Sequence, residues 1–115
     1  MGAIRGAICA QNTVEDISSK AVELIAEIMV QNNLSYDDIE SIVFTATGDI
    51  TACYPAKSVR EHFDMPQIAY MCLAEMDVEG GLDHCIRVLV YAPSIMQKNC
   101  KHCYLGRAKC LRQDL

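Results

Sequence analysis

HCIRVLVYA, residues 84–92, is the stretch from which the architecture can be worked outward. It is short, apolar and rich in β-branched residues, and it reads as a strand. Side chains alternate along a strand, so Cys85, Arg87, Leu89 and Tyr91 share one face and Ile86, Val88 and Val90 the other. Both faces are largely apolar. Such a strand is covered on both sides, or by a helix on one side and a neighbouring subunit on the other. Arg87 is the exception, because a buried arginine without a paired charge costs several kcal/mol or more. Something anionic is expected to meet it. The oddity recurs in GAIRGAI, residues 2–8, where Arg5 sits among small and apolar residues.

The rest of the chain supplies partners for that strand. Residues 2–9 read as a first strand whose glycines admit a close neighbour. Thr13 and Asp16 resemble a capping box, and Ile17, Ala21, Leu24, Ile25 and Ile28 then recur at helical spacing up to Asn32 and Asn33. Ser35 and Asp38 suggest a short helical turn before the strand SIVFTAT, residues 41–47. TGD breaks that strand. Pro55 fits the first position of a second helix, PAKSVREHF, residues 55–63, with Lys57 and Arg60 on one face. Pro66 separates it from a strand QIAYMCL, residues 67–73, and Gly80 with Gly81 precedes HCIRVLVYA. A last strand is expected over about 103–111, ending in the polar tail RQDL. The order β-α-β-α-β-β-β predicts an α/β (α+β) domain of mixed β-sheet with helices mainly on one face. Its helix-free apolar face would be covered by oligomerisation.

Composition narrows the function. A chain of 115 residues can bury roughly two thirds of its unfolded surface as one domain spanning residues 1–115. Ten basic against fifteen acidic residues give a net charge of -5, which disfavours a nucleic-acid partner held by bulk charge. No apolar run suggests a signal or a membrane span, so a cytoplasmic protein with no membrane partner is expected. The seven cysteines are odd in number and read as reduced thiols, with Cys85 and Cys110 packing as small hydrophobes in strands.

The chemistry-bearing residues are few. Arg5, Lys57, Arg60 and Arg87 are cations in or beside ordered elements. Glu75 is an obvious partner for Arg87, either as a simple ion pair or as the second wall of an anion pocket. Lys57 could instead pair with Glu61 along its helix. CKHCY, residues 100–104, contains a CxxC, yet no second ligand pair for structural zinc follows, and the motif stands before a strand where a redox CxxC would open a helix. His62, His84 and His102 have no convincing nucleophile partner. Phosphate-loop, dinucleotide and nucleophile-elbow motifs are missing from the sequence. What is left suits a reaction that needs placement and electrostatics.

Four segments in order, IRGA (4–7), ATGD with YPAKSVRE (46–61), CLAEMDVEGGLDHCIRV (72–88) and YL with CLRQDL (104–115), resemble the AroH class of monofunctional chorismate mutases. The resemblance implies a chorismate-mutase AroH-type fold in a trimeric pseudo-barrel assembly, with sites in clefts between subunits. It implies the rearrangement of chorismate to prephenate in the cytoplasm, with no metal and no cofactor. It further implies that Arg87 donates to the substrate's ether oxygen, that Arg5 and Tyr104 bind a carboxylate, and that Glu75 accepts the ring hydroxyl near Cys72. Lys57 and Arg60 would line the entrance with Tyr54 and Ala56, and Leu111 would add an apolar wall. Met71, Gly48 and Tyr54 depart from the family's usual threonine, proline and phenylalanine. A trimeric binding module for small carboxylates and a thiol or zinc protein built on CKHC are the competing expectations.

Overall fold

The computed structural model describes residues 1–112, so the end of the polar tail, Gln113, Asp114 and Leu115, lies outside the described residues. Its regular elements are β1 (Gly2–Cys9), α1 (Val14–Gln31), β2 (Ser41–Ala46), α2 (Pro55–Phe63), β3 (Ala69–Ala74), β4 (Cys85–Ala92) and β5 (Cys103–Tyr104). The strands make a mixed sheet in the order β3-β2-β4-β1-β5. β4, the apolar stretch, is central and antiparallel to both β1 and β2, while β2–β3 and β1–β5 pair in parallel. The crossover that parallel β2 and β3 require is α2.

Local chemistry explains the helices. Thr13 caps α1 by accepting from the Asp16 backbone N–H at 3.1 Å. The Asp16 carboxylate reaches past the cap to accept from the Gln11 N–H at 2.6 Å, which ties down the entry loop. Pro55 opens α2, where its missing N–H has no intrahelical partner to lose. The α1 stripe Ile17, Ala21, Leu24, Ile25 and Ile28 is fully buried, and it joins one core with Ala56 and Val59 of α2 and the inward side chains Ile4, Ile8, Ile42, Phe44, Ile86, Val88 and Val90. Gly6 permits this approach, since a Cβ there would stand 2.9 Å from Ile28 Cδ1 and 3.0 Å from the Cys103 carbonyl oxygen. Burial of each large aliphatic side chain contributes about 2 kcal/mol, so this single layer of helices on sheet is the dominant favourable term.

Among the described residues the opposite face carries no α-helix. Arg5, Val43, Thr45, Met71, Leu73, Arg87, Leu89 and Tyr91 alternate with the buried set, and Met71 and Leu73 are 58% and 49% exposed. This corrects the reading of Arg87 as buried: its side chain is 44% exposed, because the cover that Leu82 and Ala108 give this face of β4 lies at Cys85 and, among the described residues, does not extend over the arginine. The last strand is also shorter than the sequence suggested. Gly106, at φ 57°, turns the chain after β5 into a 3-10 segment, Gly106–Arg112, where Cys110 lies exposed and does not pack as a core thiol. Among the described residues no helix is long and apolar enough to cross a membrane.

Candidate active site

The strand register places the first group of candidate residues. Arg87 on β4 lies between Thr45 of β2 and Ala7 of β1, and Ala7 in turn pairs with Tyr104 of β5. Arg5, Arg87 and Tyr104 therefore project from three adjacent strands onto the open face. With Leu111 from the 3-10 segment they line a hollow of about 210 Å³. Glu75 follows β3 directly, and its N–H donates to the Ala46 carbonyl at 2.9 Å, extending the ladder to the point where the side chain turns toward Arg87. Glu75 Oε2 lies 3.6 Å from Arg87 Nε and accepts from the Thr45 hydroxyl. The carboxylate is the better shielded partner, at 19% exposed. Beyond it opens a larger hollow of about 720 Å³, walled by Glu75, Arg87, Thr47, Asp49, Val78 and Leu82.

A polar bracket at the start of β4 holds this wall. Thr47 Oγ1 accepts from the Cys85 N–H at 2.9 Å and donates to Asp49. Asp49 accepts from the His84 N–H at 3.1 Å on both carboxylate oxygens, and His84 Nδ1 lies 3.1 Å from Oδ2. The Thr47 hydroxyl beside it, with help from the His84 N–H, holds the Asp49 carboxyl below its ordinary range against some loss of solvent. Arg107 clamps the 3-10 segment to the same place by donating to Asp83 Oδ1 at 3.1 Å and to the Asp83 carbonyl at 3.3 Å. Asp49, Asp83 and His84 bring ligand-type atoms within 4.8 Å of one another, but these contacts already engage them with protein partners. Sequence reading missed this bracket, whose one signal was the run of turn residues TGD.

The second group lies elsewhere. Tyr54, Ala56, Lys57 and Arg60 from the start of α2, with Cys72 of β3, line a hollow of about 280 Å³. Tyr54 stands 71% exposed at its edge. The loop leading to α2 is pinned by Asn12, whose Oδ1 accepts from the N–H groups of Thr51 at 2.8 Å and Ala52 at 2.9 Å. None of Arg5, Glu75, Arg87, Tyr104 and Leu111 lines this hollow. The candidate residues thus fall into two separate groups.

The CKHC segment makes structural contacts. Cys100 and Cys103 donate to the carbonyls of Met96 and Lys101, each at 3.7 Å, and burial pushes the Cys103 thiol up to about 11. His102 Nδ1 accepts from the Arg5 N–H at 2.9 Å, tying the segment to β1.

A family model described as chorismate mutase type I matches residues 1–115. A chorismate mutase AroH from Bacillus subtilis (strain 168) is 37% identical over 114 residues, which cover 97% of this chain and 90% of the relative. One from Thermus thermophilus is 34% identical over 115 residues, covering 97% and 93%. Among solved structures, a chorismate mutase from Clostridium thermocellum superposes with a TM-score of 0.90 at 38% identity, covering 96% of this chain and 99% of that one.

Proposed function

The chain belongs to the type I chorismate mutase family and is a chorismate mutase, an isomerase of aromatic amino acid biosynthesis, and from that premise we propose how its two groups of candidate residues perform the reaction. Chorismate is a dicarboxylate whose enolpyruvyl arm must fold over the ring before an ether C–O bond breaks and a C–C bond forms. The rearrangement is intramolecular. Catalysis then consists of holding the folded conformer and stabilising the negative charge that gathers on the ether oxygen.

In this reading Arg87 donates to the ether oxygen and to a carboxylate, and its preorganised charge favours the transition state over the ground state. Arg5 and Tyr104 hold the carboxylate of the arm. Glu75 accepts the ring hydroxyl. Lys57 and Arg60 attract the substrate at the entrance, and Tyr54, Ala56, Cys72 and Leu111 wall the cleft. Every group the reaction draws on is a side chain of this protein.

The observation that carries the proposal is the separation of the two groups. Arg5, Glu75, Arg87, Tyr104 and Leu111 gather on the open sheet face or at its edge, while Tyr54, Ala56, Lys57, Arg60 and Cys72 gather around a hollow of their own. A homotrimer that covers the apolar face of one protomer with the next would bring the first group of one subunit to the second group of its neighbour. A heterologous contact of this kind gives a three-membered ring when its rotation closes after three copies.

The test uses two disabled proteins, Arg87→Ala and the double variant Lys57→Ala/Arg60→Ala. Each is expected to be nearly inactive alone. Co-expressed, they form mixed rings in which some clefts receive Arg87 from one subunit and Lys57 and Arg60 from another, and turnover of chorismate returns. A mixed population that assembles and stays as inactive as its parents would overturn the shared cleft.

A further inference from the structure

We propose that Thr45 is a positioning residue of the reaction, acting by holding the Glu75 carboxylate in the orientation that receives the substrate hydroxyl; this rests on the reading of Glu75 and Arg87 given above. Thr45 stands on β2 opposite Arg87 of β4 and opposite Leu73 of β3, so its hydroxyl emerges on the open face between the arginine and the end of the strand that carries Glu75. That hydroxyl donates to Glu75 Oε2. The Arg87 contact, at 3.6 Å, falls on the same oxygen. Both anchors therefore grip one side of the carboxylate and leave its Oε1 side to the cleft.

The two anchors differ in what the reaction asks of them. Arg87 is to turn its donors to the ether oxygen as charge develops there, and in doing so it loosens its hold on Glu75. Thr45 has no such duty. A hydroxyl on a central strand, fixed by register on both sides, keeps its place through the reaction, and a hydrogen bond to a charged group is the stronger kind. Its loss is felt most in the transition state, where Arg87 no longer helps. The expected signature is a fall in kcat with KM little changed.

The experiment compares Thr45→Val, Thr45→Ser, Glu75→Gln and the double variant Thr45→Val/Glu75→Gln, with Thr45→Ala in reserve should the valine protein fail to fold. Each is assayed with chorismate after its assembly and melting temperature have been checked against wild type. Thr45→Val is expected to lose about tenfold or more in kcat, the usual range for a hydrogen bond to a charged group. Thr45→Ser, which keeps the donor, stays within about threefold of wild type. Thr45→Val adds much less to the defect of Glu75→Gln than to wild type, because the hydroxyl acts through that carboxylate. Wild-type kcat in Thr45→Val beside an impaired Glu75→Gln overturns the role of Thr45 and leaves the site reading intact. Equal losses on both backgrounds overturn it too. Wild-type kinetics in Glu75→Gln would instead remove Glu75 itself from the site.

Discussion

Arg5 and Arg87 stand diagonally across the β1–β4 pair: Arg5 is directly opposite Leu89, and Arg87, two residues earlier on β4, is directly opposite Ala7. Diagonal neighbours on one face of a sheet lie about 7 Å apart, so two guanidinium groups can converge on one small anion. The only carboxylate paired with either arginine among the described residues is Glu75, on Arg87. In the proposed site that excess of positive charge is matched by the substrate's carboxylates.

Removing Arg87 tests this directly. Arg87→Ala is expected to lower kcat by at least roughly a hundredfold, corresponding to about 3 kcal/mol of lost transition-state stabilisation. Arg87→Lys should recover little, because an ammonium cannot reproduce the planar, two-pronged donor geometry. Steady-state kinetics with chorismate decide the matter, with sedimentation to show that the assembly is unchanged. Comparable kcat in Arg87→Ala would take the arginine out of its assigned role.

The open face makes a separate prediction about assembly. Val43 lies between Met71 of β3 and Leu89 of β4 on the helix-free side, a row without a charged side chain until Arg5. If a neighbouring subunit covers this row, Val43→Glu places an unpaired carboxylate in the contact, at a cost of several kcal/mol. Sedimentation should find wild type trimeric and the variant dissociated, and the variant's turnover should fall with it. A wild-type protein that sediments as a monomer while fully active would remove the basis for a shared cleft.

Much of this was legible in the sequence because the signals were local. The five apolar positions of α1 are the five that the helix buries, and Pro55 begins α2 where its ring fits. β3 starts at Ala69, two residues after the sequence suggested, since Ile68 closes a turn onto the Met65 carbonyl. The last strand failed for a similar reason. Gly106 adopts a left-handed conformation, and Ala108 bonds back to the Leu105 carbonyl, so a run that looked extended coils. Arg87 was read as buried because both faces of its strand are apolar, a pattern that cannot say whether the second cover comes from the same chain. Thr45 and Thr47 passed as ordinary β-branched strand residues. Their hydroxyl partners, Glu75 and the Cys85 N–H, lie 30 and 38 residues away and depend on register.

Thiol chemistry offers a check on the fold. Burial pushes the Cys85 thiol up to about 12, while Cys110 lies exposed on the 3-10 segment. Alkylation proceeds through the thiolate, and at pH 8 a thiol at about 12 carries roughly a thousandfold less thiolate than one at the ordinary value of about 9, which outweighs the greater nucleophilicity of the more basic sulfur. Timed iodoacetamide labelling, mapped by mass spectrometry, should find Cys110 modified early, with Cys103 and Cys85 last. Cys85 labelled as early as Cys110 would contradict the placement of β4 at the centre of the sheet.

The bracket at the start of β4 predicts a pH signature. The Asp49 carboxyl is held below its unfolded value, mainly by the Thr47 hydroxyl. A carboxylate of this kind adds stability that is present above its unfolded value, near 4, and is lost as pH falls through its lower folded value. Asp49→Asn should therefore be the less stable protein at pH 7. The side chain is 36% exposed, so solvent screening limits the difference to about 1 kcal/mol, or a few degrees in melting temperature. On acidification below about pH 4 the two melting curves should draw together as Asp49 takes up its proton. Thermal unfolding of both proteins from pH 7 down to pH 3 measures the gap. A gap that is constant across this range would show that Asp49 acts by shape alone and that its charge does not secure the Thr47–His84 bracket.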